Sequence, residues 1–404
     1  MIFRTLGEGQ YALAEPDHGI EFTVDRLRRE RGELIGELSV ACGILGARVI
    51  DGTLSVGSFN FSSVQARSQR AKLLQERART GAKLDWLAAL EEVCQRVVEA
   101  ERKGQSAVLL RTVQRPAADE EHFEVLGLQI PAKHPSCPFG DGGTFKSYLA
   151  LKIASERAKA GSRVAYLDWE LDDRTHRGRL EQINGPEMPD VFYVRCDKPL
   201  VYEVDRIQRI VRNERLDFAI YDSVGYGTDG APESAEAAMG YCRAVRQIGI
   251  GGLLLAHVTK GENGDQRPFG SAFWHNSARS TWNIKLSNSS PDRRRLSLGV
   301  FNRKNNLGPA SPPLGIGVQF DGDRVHFERV DVASIDDLAE SLPLWQRMRK
   351  ALSSGPQTLA ELAIDLGANV ETLDRTVRRK SEQFTKISGN DGIHRIALLE
   401  RRAS

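Results

Sequence analysis

Cysteine is scarce in this chain, and what there is has no pattern. Cys42, Cys94, Cys137, Cys196 and Cys242 form an odd set without CxxC spacing, which argues against a disulfide framework and against a zinc site, and fits a reducing compartment. No run of ~18 apolar residues occurs, so no membrane-spanning helix is expected, and the opening residues, MIFRTLGEGQ, lack the apolar stretch of a signal peptide. A cytoplasmic protein is expected. A dominant charge is missing too: 56 Lys/Arg against 54 Asp/Glu leave +2, so the chain is no polybasic coat for nucleic acid. The excess is unevenly placed. Residues 341–404 hold 11 Lys/Arg against 7 Asp/Glu, a basic end on a near-neutral body. Internal repeats and long low-complexity tracts are absent as well.

What remains is an ordinary globular composition, 40% hydrophobic and 27% charged over 404 residues, which suits two or three domains. The pattern divides into three blocks: 1–120, 121–330 and 341–404. In the first, residues 19–25, 34–42 and 49–61 alternate like strands, the last with a turn at Asp51-Gly52. Helical patterns follow over 65–79 and 84–103. The second helix places Trp86, Leu90, Val93 and Val97 on one face. This α+β accessory block carries no recognisable chemistry; a module that docks a partner or nucleic acid and a purely structural accessory both fit it. The polar stretch QRPAADEE, residues 114–121, reads as a linker. From there to about Val330, strand and helix patterns alternate, which predicts a mostly parallel sheet with flanking helices. A punctuated stretch, GPASPPLGIG at 308–317, precedes a final hairpin and a second linker.

The chemistry concentrates in Gly140, Asp141, Gly142, Gly143, Thr144, Phe145, Lys146 and Ser147. They follow the frame G-x-x-x-x-G-K-[ST] except that Phe145 occupies the last glycine position. Glycines let successive backbone N–H groups turn towards phosphate oxygens, and a helix beginning at the loop's end adds a favourable dipole. Lys146 suits the β- and γ-phosphates and the Ser147 hydroxyl suits Mg²⁺. Residues 148–160 read as that helix, with Gly161 as its stop. The preceding strand, CPFG at 137–140, is short and contains Pro138. ATP with Mg²⁺ is the expected ligand. Phe145 is tolerable if its N–H still donates and its ring turns aside.

Ligands of open α/β sheets sit at the carboxyl ends of the strands, so reactive residues are expected where later strands end. The strand at 163–167 runs into Asp168-Trp169-Glu170, LDFAIY at 216–221 into Asp222-Ser223, and GLLLA at 252–256 into His257, with Lys260 beyond. Asp222 suits the Mg²⁺ water shell, Glu170 the general base, and His257 a hydrogen bond to the γ-phosphate. Asp168 competes with Glu170. Each also has a plainer reading: a helix cap, a surface ion pair with Arg174, a solvated histidine.

In this order, GDGGTFKS, YLDWE, IYDS, LLLAHVTK and FGSAFWHNSAR resemble the RecA-like ATPases of the plasmid RepA type, which are hexameric replicative helicases. The resemblance covers roughly residues 130–327. It implies phosphate and metal binding by Lys146 and Ser147, water activation by Glu170, metal binding by Asp222 and γ-phosphate sensing by His257. It also implies that Arg279 reaches a neighbouring subunit of a homo-oligomer, with the hexamer as the family's form, and that Lys304 in FNRKNNLGP matches a later basic position. The chain departs from the family at Phe145, at Phe269, where an arginine is common, and at Ala256, where a second histidine is common. Those departures bear on unwinding more than on nucleotide binding.

The last block reads as three helices, 342–353, 358–366 and 370–383. A hairpin of 384–387 and 393–399 follows, turning at SGNDG. That order resembles a winged helix. Its third helix carries Arg375, Arg378, Arg379 and Lys380, a set suited to DNA phosphates or base edges. The expected protein is an ATP-hydrolysing, DNA-associated motor or loader. The alternatives are an ATP-gated DNA-binding or recruitment protein without unwinding activity, and a winged-helix transcriptional regulator.

Overall fold

A computed structural model of the chain describes all residues except 8, 79–83, 105–106, 118–120, 259–267, 269, 289–293, 390–391 and 400–404. Two compact units result, Met1–Arg115 and Pro116–Ser404.

The first unit is an antiparallel meander of β1 (Ile2–Gly7), β2 (Gln10–Glu15), β3 (Ile20–Glu30), β4 (Glu33–Cys42) and β5 (Thr53–Asn60), paired in sequence order. Helices α1 (Val64–Ala78) and α2 (Trp86–Lys103) complete it. β3 and β4 alternate buried and half-exposed residues because one face meets the core. The apolar stripe of α2, Trp86, Leu90, Val93 and Val97, is buried against Phe22, Leu38 and Leu54. Asp85 caps that helix by accepting from the N–H groups of Leu87 and Ala88, both at 3.0 Å. The strand expected over 49–61 begins only at Thr53, because Asp51 and Gly52 take positive φ values of 49° and 75° and turn the chain before it. β1 and β2 were not foreseen.

The second unit opens with a hairpin of β6 (His122–Val125) and β7 (Leu128–Pro131). Next come β8 (Pro135–Phe139), α3 (Lys146–Lys159), β9 (Val164–Asp168), α4 (Asp173–Asn184), β10 (Val191–Arg195), α5 (Leu200–Asn213) and β11 (Phe218–Asp222). After them run α6 (Val224–Gly227), α7 (Ala235–Ile248), β12 (Gly251–Leu255), α8 (Ala272–Ser277), β13 (Ser280–Leu286), β14 (Arg295–Asn305), β15 (Leu314–Asp321) and β16 (Arg324–Val330). They build one nine-stranded sheet in the order β10-β9-β11-β12-β8-β13-β14-β15-β16. In that order β10 through β13 are parallel and the last three strands antiparallel. The fold is therefore mixed α/β with a parallel-rich sheet and flanking helices. β9, β11 and β12 are buried at every residue, as parallel strands covered on both faces must be. Leu149 and Ile153 of α3 pack on one face, and Leu200, Ile207, Tyr241 and Val245 of α5 and α7 on the other. β8 lies in the middle of the sheet despite Pro138, whose carbonyl still accepts from Ala256 N–H at 3.0 Å.

The segment expected to link the sheet to the tail is packed structure instead. Val332, Leu338, Ala339 and Leu342 cluster with Phe301. Ser287 donates to Asp337 at 2.7 Å and Lys285 to Ser341 at 2.9 Å. This segment contains α9 (Asp336–Ala339). Beyond it, α10 (Leu344–Ala351), α11 (Leu359–Leu366), α12 (Val370–Arg379), β17 (Phe384–Ser388) and β18 (His394–Leu398) enclose their own core of Met348, Leu362, Leu373, Val377, Phe384 and Ile396. A capping box of Thr358 and Glu361 starts α11. α12 stops at Arg379 rather than running to 383. Gln357 bonds to Ile396 in both directions, at 3.1 and 2.7 Å, adding a third short pairing beside the hairpin. The centre of the expected SGNDG turn, residues 390–391, lies outside the described residues.

Candidate nucleotide site

β8 ends at Phe139, and the chain turns through the glycine loop into α3. Gly140 is confined: a Cβ there would stand 2.4 Å from the carbonyl oxygen of Ile284, so no other residue fits. Gly142 and Gly143 meet nothing within 4 Å, and Gly143 has φ 76°. Phe145 occupies the left-handed region, φ 57° and ψ 24°, immediately before α3. That is the conformation for which a glycine is favoured at this position. The phenylalanine is held there by its ring, 6.0 Å from Tyr148 and 5.7 Å from Phe320. The ring thus packs in an aromatic cluster rather than in the loop.

Lys146 is buried at the start of α3. Its ammonium donates to the carbonyls of Gly140 and Asp141 at 3.0 and 2.7 Å and to Thr144 Oγ1 at 3.2 Å. Burial lowers its pKa, and the charges of Asp222, Glu170 and Asp141 pull it back up. Those three carboxylates therefore act on the ammonium through their charge, while its hydrogen bonds go to the loop.

Asp222, at the end of β11, is 5% exposed and accepts a short hydrogen bond from the Tyr166 hydroxyl. The Ser147 side chain lies close enough to that hydroxyl to act on it. One phenol thus bonds to one of the two residues expected to hold Mg²⁺ and neighbours the other. The donor set fits such a cation: one carboxylate and one hydroxyl leave most positions to phosphate and water, as Mg²⁺ prefers. Among the described residues no group of three or more His, Cys, Asp or Glu could hold a metal by itself.

The two carboxylates after β9 differ in environment. Asp168 is fully buried. It accepts from the N–H groups of Glu170 and Leu171 at 3.0 and 3.1 Å and from the Tyr193 hydroxyl at 2.9 Å. His176 Nε2 and Arg195 Nη1 lie 3.4 and 3.8 Å away. Burial alone would raise its pKa, but His176, the two amides and Tyr193 hold it down to about 2. Glu170 is exposed, and its carboxylate accepts a short bond from the Ser223 hydroxyl. A buried carboxylate with three donors has little left for water; one with a single hydroxyl partner at an open edge can take a proton from it.

Of the other expected residues, His257 is exposed directly after Ala256, whose carbonyl accepts from Gly140 N–H at 3.2 Å. It therefore follows a strand end bonded to the loop. Lys260 and Phe269 lie outside the described residues. Arg279 is exposed at the opposite edge of the sheet. Its N–H donates to the Pro135 carbonyl at 2.9 Å, at the start of β8. The length of β8 then separates it from Gly140, roughly 16 Å at ~3.3 Å per residue. Arg279 is not brought to its own loop. Lys304 donates to the carbonyls of His275, Asn276 and Ala278 at 3.0, 2.8 and 2.8 Å. It closes the end of α8 and fixes the approach to Arg279 instead of standing free. In the tail, Arg375 and Arg379 are exposed on α12. Arg378 pairs with Asp374, and Lys380 lies 3.6 Å from Glu382 and 5.4 Å from the Trp345 ring centre.

Sequence reasoning missed Tyr166, Ser223, Tyr193 and His176. Tyr166 and Tyr193 sit inside apolar strands, where a tyrosine reads as core. Ser223 carried a signal, a hydroxyl directly after the strand-end aspartate. His176 is on a helix and carried none.

Together these features define the class: an α/β protein with a glycine-rich loop leading into a helix, and acidic strand ends, at the carboxyl edge of a parallel-rich sheet. No family model and no curated protein matches the sequence. Among solved structures the chain is similar to a KaiC-like protein, PH0186, from the hyperthermophilic archaeon Pyrococcus horikoshii OT3. The identity is 15%, covering 54% of this chain and 96% of that one, with a TM-score of 0.41. It is also similar to a second solved structure, an ATPase domain, at 11% identity over 49% of this chain and 85% of that one, with a TM-score of 0.40. Likenesses this loose add nothing to what the loop and the strand ends say. No helix among the described residues is long and apolar enough to cross a membrane.

Proposed function

We propose that the chain is an ATP-hydrolysing, DNA-associated motor or loader with a RecA-like core over residues 121–330, related in design to the RepA-type hexameric helicases. The observation that carries this reading is convergence. Lys146 stands at the loop and feels the charges of Asp222, Glu170 and Asp141, while Asp222 accepts from the Tyr166 hydroxyl with Ser147 close by. Residues far apart in sequence that come together in this way support a phosphoryl-transfer site. In this reading ATP frees Lys146 from the loop carbonyls and draws it to the β- and γ-phosphates. The loop N–H groups hold the phosphates, and Glu170 takes the proton from the attacking water. Mg²⁺, when bound, offsets the charge on the transferring phosphoryl group. His257 follows a strand end bonded to Gly140, a place suited to sensing the γ-phosphate. Arg279 is too far from its own loop to serve it, so any role at a γ-phosphate belongs in a neighbouring copy.

The tail, residues 341–404, supports the DNA part of the reading. Three helices, a hairpin and the Gln357–Ile396 pairing are the parts of a winged helix, and Arg375 and Arg379 are exposed on its third helix. The first block, residues 1–120, is proposed as an accessory domain. Steady-state ATP turnover with and without single-stranded DNA tests the whole. Marked stimulation by DNA supports the motor or loader. Turnover indifferent to DNA, with DNA binding that depends on ATP, would favour the gated binding protein instead.

A further inference from the structure

Tyr166 is a polar residue in a place built for apolar ones. It sits mid-strand in β9, 1% exposed, between Ala165 and Leu167, opposite Tyr193 of β10 and Ile220 of β11. A phenylalanine would fill the same space, and a buried tyrosine hydroxyl must find a partner. This one finds the Asp222 carboxylate, and the Ser147 side chain lies close by. We propose that Tyr166 is the positioning residue of the divalent-cation site, its hydroxyl setting Ser147 and Asp222 in their cation-binding arrangement before the cation arrives. The proposal rests on the nucleotide-binding reading above.

Two observations support it. The ring cannot wander: it is locked in the strand ladder and lies 4.3 Å from the His176 ring centre. Its hydroxyl takes Oδ2 of Asp222 and leaves Oδ1 to the water shell of a cation. Groups behind metal ligands commonly matter about tenfold to a hundredfold in metal affinity, because they fix ligand orientation.

The test uses the full chain, a mant-labelled non-hydrolysable ATP analogue, and binding measured in EDTA and in excess Mg²⁺. In Tyr166→Phe the affinity in EDTA should stay within about twofold of the wild type, while the tightening by Mg²⁺ falls by on the order of tenfold. Replacing Tyr166 with 4-aminophenylalanine, which keeps a donor at the ring's end, should restore most of the tightening. Tyr193→Phe removes a half-buried tyrosine hydroxyl bonded to Asp168 instead, and should leave the tightening unchanged. Undiminished tightening in Tyr166→Phe would overturn the proposal while leaving nucleotide binding intact. So would an equal loss in Tyr193→Phe, or a loss in EDTA as large as in Mg²⁺, since either marks a purely structural role. A wild-type protein that binds no analogue would remove the nucleotide reading itself, and this inference with it.

Discussion

Replacing Asp168 with asparagine separates the two carboxylates that follow β9. The folded protein holds the Asp168 carboxyl at about 2 against an ordinary 3.8. At ~1.36 kcal/mol per tenfold in proton affinity, that gap contributes about 2 kcal/mol to stability at neutral pH. The sign follows from the depression. The contribution is complete above the unfolded value near 4 and is lost as pH falls towards 2, with about 1 kcal/mol left at pH 3. The asparagine side chain keeps the shape, accepts from the backbone with one oxygen only, and has no proton to exchange. Asp168→Asn should therefore be less stable by about 2 kcal/mol at pH 7, and the deficit should shrink by roughly half at pH 3. Urea unfolding of the full chain at the two pH values, followed by tryptophan fluorescence, measures both. Equal stability at pH 7, or a deficit that does not change with pH, would refute the view that Asp168 is an ionised anchor for the strand end.

Glu170→Gln should bind ATP normally yet hydrolyse it ~10²-fold or more slowly, as expected for loss of a positioned base, while Asp168→Asn keeps far more turnover at temperatures where it stays folded; the opposite ranking would exchange their roles. Arg279→Ala should bind ATP but turn it over poorly. Mixing it with Lys146→Ala should restore part of the activity through interfaces pairing an intact loop with an intact arginine; full activity in a strictly monomeric protein would exclude the assignment. A chain ending at Pro343, which keeps the packing of residues 332–342 on Phe301, should retain basal turnover, bind DNA more weakly and lose part of the salt dependence of binding. DNA binding equal to that of the full chain would make the tail a protein-docking module.

The loop and the acidic strand ends could be read from the sequence because each leaves a local mark: glycines spaced around a lysine, or an apolar run stopping at a carboxylate. The tail hairpin and the α2 stripe were legible for the same reason. β1 was not, since it is an edge strand with few buried residues, Ile2 56% and Leu6 46% exposed and only Phe3 packed on the core, and no clear alternation marks it. Phe145 broke the loop's rule in sequence. The structure explains it through contacts to Tyr148 and the distant Phe320, which only tertiary packing brings near. Lys304, matched in sequence only to a later basic position of the resembled family, is held by three carbonyls of a segment nearly thirty residues earlier. Burial separates Asp168 from Glu170, a difference that two residues on one strand end do not reveal by spacing. Tyr166 needed the register of β9 against β11, a fact of the sheet rather than of any segment.

The central claim is that the loop around Lys146 binds and hydrolyses ATP. Lys146 is the cation at the loop, held now by Gly140, Asp141 and Thr144. The most direct test is ATP turnover by purified wild-type and Lys146→Ala proteins, with circular dichroism to show that both are folded. The account predicts measurable hydrolysis by the wild type and none above background in the folded variant. Turnover unchanged in Lys146→Ala would contradict it.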